Sequence, residues 1–467
     1  MHGAILAIDV GSTRLKAALV APDGALLHTF AGDSPLHAAA PQASDVLQAV
    51  LAASDAVCAG VPPAALAITG ATRTHVLTSG EGQALDAIVK LDDARGASFE
   101  VDLQRAYGEP ERRGLGAFHP LARLVDLEKT QPILYAHTRW QLELKDWLNL
   151  QLTGVAAIDA VTEGRDQPRH VSFETVLQRL ALRPELCPSS LEPGRIIGTV
   201  RETADARHLP APWLVGVPVV QCGFDAWCAS LGMGCVRERH VYNVSGTTEV
   251  FGSFSRDDRP MSGIGSLRWT PELFHLGGPC LTGLGTLAWF GRSFLDDADP
   301  QGVLDCAAAA GDDTPLCLPF VSGERMPFWR GDLSAQFLGV RSTHGKPEFA
   351  RALVDGLFAF QRHLVGLLCA DAQTLHLSGG AISLRGWQEL KAAMFGRPVD
   401  VCEAAEPSLV GCAMAAFCAI GRQPSLAAAQ DAMAPTYRVI GPDTAVVARL
   451  RDTEQKLRPY FLEMSAS

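Results

Sequence analysis

Two short stretches of this 467-residue chain carry the residue types that bind polyphosphate. The first is Asp9-Val10-Gly11-Ser12-Thr13-Arg14-Leu15-Lys16, and the second is Asn243-Val244-Ser245-Gly246-Thr247-Thr248-Glu249. Each sets a glycine and two hydroxyl residues between runs of strand formers. Glycine lets the chain turn tightly and lets a ligand approach the backbone. The exposed N–H groups and hydroxyls then make a concave donor surface for phosphate. Lys16 adds a cation beside the first loop. Asp9 ends an apolar run and faces the turn. A carboxylate there either holds Mg2+, directly or through water, or caps the turn by bonding local N–H groups. Asp225 follows the apolar run Val217 to Gln221 and opens the helix-like stretch Ala226 to Met233. At such a junction an acid is an N-cap or a group that accepts the proton of an attacking hydroxyl. Its place just upstream of the second loop favours the base. Ser378-Gly379-Gly380-Ala381 and Gly411-Cys412-Ala413 offer small residues on which a flat base or ribose can lie. For Gly411 taken alone, close packing is the simpler reading.

Other patterns carry less. Gly283-Leu284-Gly285-Thr286-Leu287-Ala288 fits the loose dinucleotide fingerprint, but no clear strand leads into it and no βαβ unit surrounds it. No P-loop G-x-x-x-x-G-K-[ST], no G-x-S-x-G and no H-E-x-x-H occurs. The net charge of −11 argues against a nucleic-acid surface. No apolar stretch is long enough to span a membrane, and the start does not read as a signal peptide. Twelve cysteines are scattered with no C-x-x-C pair or metal-like spacing. They read as reduced thiols of a cytoplasmic protein, which leaves the Asn243-Val244-Ser245 glycosylation triplet idle.

The elements that must position these residues follow from patterning. The opening predicts a β-meander of ILAIDV, LKAALVAP and ALLHTF, with a turn at Asp23-Gly24. A helix over about 44–59 and a strand at Leu66–Thr69 continue it, so the fold class is α/β. Residues 99–154, richer in charge, look like an inserted or capping subdomain, with a helix predicted from Trp140 to Leu152. The second half repeats the opening as HVYNVSG and TEVFGSF. Apolar spacing predicts helices over 349–368, 383–395 and 409–420, with strands at 374–377 and 399–402. Two domains are expected, residues 1–240 and 241–467, with the boundary near 235–243.

Five segments in order, AIDVGSTRLK, VPVVQCGFDAWCASLGMG, NVSGTTEVFG, LPFVSGERMPFW and LHLSGGAISLRGWQELKAAMFGRPV, resemble the FGGY carbohydrate kinases (xylulokinase- and gluconokinase-like) of the actin-like ATPase superfamily. The resemblance implies two ribonuclease-H-like domains with an interdomain cleft, and ATP-dependent phosphorylation of a small sugar, polyol or sugar acid. It implies Asp225 as catalytic base, Asp9 as the Mg2+-associated acid, and Gly11, Ser12, Thr13 and Lys16 as the first ATP loop. It further implies Gly246, Thr247 and Thr248 as the second loop, and Gly379, Gly380 and Gly411 as parts of the adenosine site. Ser322-Gly323-Glu324-Arg325 matches a recurring family segment, read here as a buried structural neighbourhood. Phe224 and Asp93 fall on the substrate side. That side departs from the family: a Gln-Met-His-like segment is replaced by Gly70-Ala71-Thr72-Arg73-Thr74-His75, and the Trp of Trp-x-Asp-x-Arg by Lys90. Arg73 and Lys90 either select an acidic substrate, since Arg suits planar anions, or point to solvent or pair with Asp92 or Asp93. The competing readings are a silent sugar or nucleotide sensor and an actin- or chaperone-type ATPase. The expected partner is a small molecule, with neither nucleic acid nor membrane; a homodimer stays open.

Overall fold

A computed structural model describes residues 3–108, 116–168, 170–202 and 212–466. It divides into two compact units, Met1–Gly234 with Ala404–Pro435, and Cys235–Glu403 with Thr436–Ser467. The chain therefore changes units just before the second glycine loop. It then returns to the first unit for residues 404–435, which a single cut in the sequence does not anticipate.

The first unit is built on a six-stranded sheet. Its strands in chain order are β1 (Ile5–Val10), β2 (Arg14–Val20), β3 (Leu26–Asp33), β4 (Ala65–Gly70), β5 (Ile196–Thr199) and β6 (Pro218–Gln221). The spatial order is β3-β2-β1-β4-β6-β5. The meander is antiparallel, as its short turns require, while β4 runs parallel to β1 and β6 parallel to β4. β1 and β4 are almost wholly apolar and buried, as central strands covered on both faces must be. Two helices matter for the site: α1 (Asp225–Gly232) and α2 (Pro407–Ala419). α2 packs on α1, β1 and β4. It is apolar nearly all round, and its residues Ser408 to Phe417 are buried.

Helix α1 and helix α2 approach unusually closely. A methyl group on Gly411 would lie 1.8 Å from the Cys228 carbonyl oxygen, and one on Gly232 would lie 1.9 Å from that of Pro407. One glycine on each helix, at contacts one turn apart, thus seats the antiparallel pair, and close packing accounts for Gly411. A separate small core gathers Leu103, Tyr107, Leu121, Leu124, Val176 and Leu186 around the more charged middle of the unit.

The second unit repeats the pattern in a seven-stranded sheet. Its strands are β7 (His240–Ser245), β8 (Glu249–Ser255), β9 (Ser266–Arg268), β10 (Phe274–Cys280), β11 (Thr374–Ser378), β12 (Val399–Cys402) and β13 (Tyr437–Ile440). The order is β9-β10-β8-β7-β11-β12-β13, with β7, β11 and β12 parallel. The helix Lys346–Leu368 supplies much of its core through Leu353, Leu357, Phe360 and Leu364.

Three expectations change. Trp140–Glu143 is a strand, because it pairs antiparallel with His75–Thr78; the helix begins only at Leu144. The helix expected from Ser383 starts at Trp387, after a 3₁₀ turn over Gly380–Ser383. A strand does lead toward Gly283, since β10 ends three residues earlier, but that strand runs antiparallel to β8 and no βαβ unit forms.

Candidate active site

In the first unit, β1 carries Asp9 to the edge of the Gly11–Arg14 turn, which closes with the Gly11 N–H donating to the Arg14 carbonyl at 3.0 Å. Ser12 and Thr13 are exposed. The β1–β2 register sets Lys16 opposite Asp9, and the Lys16 ammonium pairs with Glu406 at 2.7 Å. Asp9 Oδ2 accepts from the Ser408 hydroxyl at 2.6 Å. Its Oδ1 is buried with no hydrogen-bond partner. Burial raises the Asp9 pKa, against the lowering effect of the Ser408 hydrogen bond. Asp9 accepts no N–H of its own turn, so the cap reading has no bond to rest on among the described residues.

Asp225 stands at the first position of α1, where Phe224 is the N-cap. Asp225 Oδ1 accepts from the neighbouring Ala226 N–H at 2.7 Å. Burial, and then the charge of Asp9, push its carboxyl up to about 7. A carboxyl raised to near neutrality by burial and by a second carboxylate makes this place a candidate functional site.

Beside them lies a buried ionic cluster that the sequence reading only touched. Arg73 pairs with Asp166 at 3.4 Å. It adopts a left-handed φ of 54°, uncommon for a non-glycine residue, and its N–H donates to Glu143 Oε1 at 3.0 Å. Arg165 bonds Glu143 at 3.1 Å, Asp166 at 3.4 Å and the Thr72 hydroxyl. Its guanidinium lies over the Phe224 ring, 5.4 Å from the centroid. Burial opposes ionisation of Asp166, yet Arg165, His119 and Arg73 hold its carboxyl well below the usual range. Glu143 Oε2 is buried without a partner. Asp93 is occupied differently: Arg95 grips both its oxygens, at 2.7 to 3.0 Å. Lys90 reaches the Ala38 carbonyl at 3.4 Å. Neither Arg73 nor Lys90 pairs with Asp92 or Asp93; Arg73 is held inside the cluster, while Lys90 makes its long bond at the solvent-exposed surface.

In the second unit, Gly246, Thr247 and Thr248 join β7 to β8, and the two threonines are exposed. Both flanks of this loop are fixed by one carboxylate. Glu249 accepts from the Asn243 amide at 2.6 Å, the Ser245 hydroxyl at 2.7 Å and the Lys391 ammonium at 3.1 Å. Ser245 in turn accepts from the Trp387 indole N–H at 2.9 Å. Lys391 and Glu249 are fully buried, and burial draws the lysine pKa down against the pull of Glu249. Gly379 has φ 96°, and a side chain there would lie 2.4 Å from the Ser245 carbonyl oxygen, so glycine is required beside the loop. Gly380 is exposed.

The Gly283–Ala288 motif supports the same loop. The Leu284 and Gly285 N–H groups donate to the carbonyls of Gly246 and Thr247 at 3.0 and 2.9 Å. Glu324 stands behind that, accepting from the N–H groups of Leu281 and Thr282 at 2.6 and 3.1 Å. Within the family-like Ser322–Arg325 segment, Gly323 and Glu324 are buried and support the loop, whereas Ser322 and Arg325 are exposed, so the burial expected of Glu324 and Arg325 is found at Glu324 alone.

Residues 4–232 match the N-terminal domain, and 241–420 the C-terminal domain, of the FGGY family of carbohydrate kinases. The chain belongs to that family. It is a carbohydrate kinase, and the relatives it resembles act on different sugars. L-Fuculokinase of Escherichia coli (strain K12) is 26% identical over 482 residues, covering 94% of this chain and 97% of that protein. Gluconokinase of Bacillus subtilis is 21% identical over 481 residues, covering 94% and 92%. The solved gluconate kinase from Lactobacillus acidophilus aligns with a TM-score of 0.86 at 19% identity, over 100% of this chain and 99% of its own. Plasmodium falciparum glycerol kinase with ADP aligns at 0.81 and 15% identity, over 98% of each. These structural likenesses concern the fold, which is that of the actin-like ATPases.

Ser408, Glu143, Arg165, Asp166, Glu249 and Lys391 escaped sequence reasoning. A local signal existed for Lys391 alone, a cation inside the apolar run Leu390 to Phe395. The others become visible only through contacts between residues distant in sequence.

Proposed function

We propose that this FGGY kinase transfers the γ-phosphoryl group of ATP to a hydroxyl of a small sugar or polyol, with Asp225 as the general base. The observation that carries this reading is the Asp225 carboxyl itself. It opens α1, its donor is the adjacent Ala226 N–H, and burial with Asp9 brings its pKa up to about 7. A base so tuned is stronger than an ordinary carboxylate and still about half ionised at neutral pH. Ser12, Thr13, Thr247 and Thr248 would supply N–H and hydroxyl donors for phosphate oxygens, on turns that the Gly11 and Gly246 N–H groups close by bonding the Arg14 and Thr248 carbonyls. Gly379 and Gly380 offer backbone to the adenosine.

The buried, unpartnered Asp9 Oδ1 fits a Mg2+-associated acid, directly or through water. The ion would be held beside Asp9 and the phosphates, and would neutralise charge on the transferring group. Ser408 keeps the Asp9 carboxylate oriented toward that task, while Lys16 is held by Glu406 at the rim.

On the acceptor side, Arg73 is engaged by Asp166 and Lys90 by a backbone carbonyl. Glu143 keeps one buried acceptor oxygen without a partner. That balance favours a hydroxyl-rich neutral acceptor over a sugar acid. The test is ADP release from wild-type enzyme and D225N over ketoses, polyols and sugar acids, against the ATP-only rate. D225N should bind ATP normally and lose roughly 100- to 10,000-fold in turnover. Wild-type turnover in D225N would remove Asp225 from the mechanism. Turnover of a sugar acid above its matching polyol would return the choice to Arg73 and Lys90.

A further inference from the structure

Three sulfurs meet in the first unit beneath the two carboxylates. Cys222 directly follows β6, Cys228 lies on α1 and Cys412 on α2; all three side chains are fully buried. Their Sγ atoms all lie within 4.8 Å of one another, and the Cys412 thiol donates to Cys228 Sγ at 3.5 Å. A single centre about 2.3 Å from each of three thiolates sets the sulfurs about 4 Å apart, so this spacing suits one three-coordinate centre. No further His, Cys, Asp or Glu joins the group among the described residues, and zinc in structural sites takes four ligands.

Charge decides which centre. Cys228 sits one turn after Asp225 on α1, and Cys412 one turn after Ser408, the partner of Asp9, on α2. The cation whose charge acts on Cys222 is Lys145, which Asp146 and Asp159 already neutralise at 2.7 Å each. Three thiolates around a divalent ion would bury a net negative charge next to two carboxylates, which is costly. Trivalent arsenic with three thiolates is neutral. We propose that Cys222, Cys228 and Cys412 form a binding site for a trivalent arsenical such as arsenite, whose occupation arrests the enzyme. Three thiols condense with As(OH)3, forming three As–S bonds and releasing three waters; nothing is oxidised or reduced. Burial makes the reaction slow, dependent on local opening of α1 from α2. Once formed, the bonds draw both helices inward and shift Asp225 and the Ser408–Asp9 pair, whose placement tolerates little error. Only this last step rests on the proposed roles of Asp225 and Asp9; the binding does not.

The test is native mass spectrometry and arsenic X-ray absorption on the full chain after incubation with arsenite. One arsenic per chain, bonded to three sulfurs, is expected. Turnover should fall slowly and recover with a dithiol but not with a monothiol. C412S and C222S should each weaken binding by roughly 100-fold or more, since losing even a supporting group costs a metal site that much. C418S, on the same helix but outside the cluster, should bind as wild type. Absence of stoichiometric arsenic, a coordination other than three sulfurs, or equal behaviour of C412S and C418S would overturn the site. Tighter binding of Cd2+ than of arsenite would overturn the charge argument, and arsenic bound with full turnover would overturn the arrest.

Discussion

Asp225 is placed where its charge is expensive, and the cost is what makes it useful. Its carboxyl is raised from 3.8 to about 7 in the folded chain, by burial and then by Asp9. The folded state therefore holds this proton more tightly than the unfolded state. Stability from that proton is fully present below about pH 4 and is lost as pH rises through about 7. With Asp225 in the proposed role of base, activity runs the other way, because the ionised carboxylate is the form that accepts the proton: kcat/KM should fall about tenfold per pH unit below about pH 7. The two trends can be separated with D225N, which cannot ionise at this position. Its Tm minus that of the wild type should be near zero at pH 4 and clearly positive at pH 8, read by differential scanning calorimetry across the range. A variant less stable than wild type at pH 8 would mean that Asp225 is a structural cap. Its type and place at a strand-to-helix junction were legible in the sequence. Its pKa was not, since that depends on Asp9, more than 200 positions away.

Among elements, the α1–α2 pair links the core to the chemistry. The crossing depends on Gly232 and Gly411, each within 2 Å of a carbonyl oxygen once a side chain is added. In G411A the helices must separate, because a backbone carbonyl cannot yield as a flexible side chain can. Overpacking of this kind typically costs about 1–3 kcal/mol. Chemical denaturation should show a loss of that size, and kcat should fall with it, because α2 also carries Ser408 to Asp9. Unchanged kcat with lowered stability would uncouple the crossing from the site. Strands and turns of both meanders were legible from alternation and Gly-hydroxyl chemistry. Trp140–Glu143 was misread as helix because its apolar spacing continues into Leu144–Thr153, and only pairing with His75–Thr78 separates the two. The contact between the Gly283 motif and the Gly246 loop was equally hidden. Its N–H groups are spent on carbonyls of another segment rather than on a ligand.

For the whole chain, the decisive fact is that the first unit is discontinuous. Residues 1–234 contain β1, β4 and α1, yet the helix that covers them, α2, arrives from residues 407–419. Without α2, the apolar surfaces of β1 and β4 that it covers lose their partner, and Asp9 loses Ser408. The unit should therefore not complete its core until six of the second unit's seven sheet strands, β7 to β12, have been synthesised, which raises the contact order and slows folding. A fragment ending at Gly234 should bind a hydrophobic dye and melt without a sharp transition. The same fragment joined to residues 404–435 through a short Gly/Ser linker should recover near-ultraviolet circular dichroism and a cooperative melt, because a flexible linker adds little closure entropy. If residues 1–234 alone melt as cooperatively as the joined chain, α2 is an accessory to the first unit. A sharp transition confined to the joined chain would make the returning segment an integral layer of its core, and would explain why glycine and small residues dominate a helix so far along the sequence from the elements it touches.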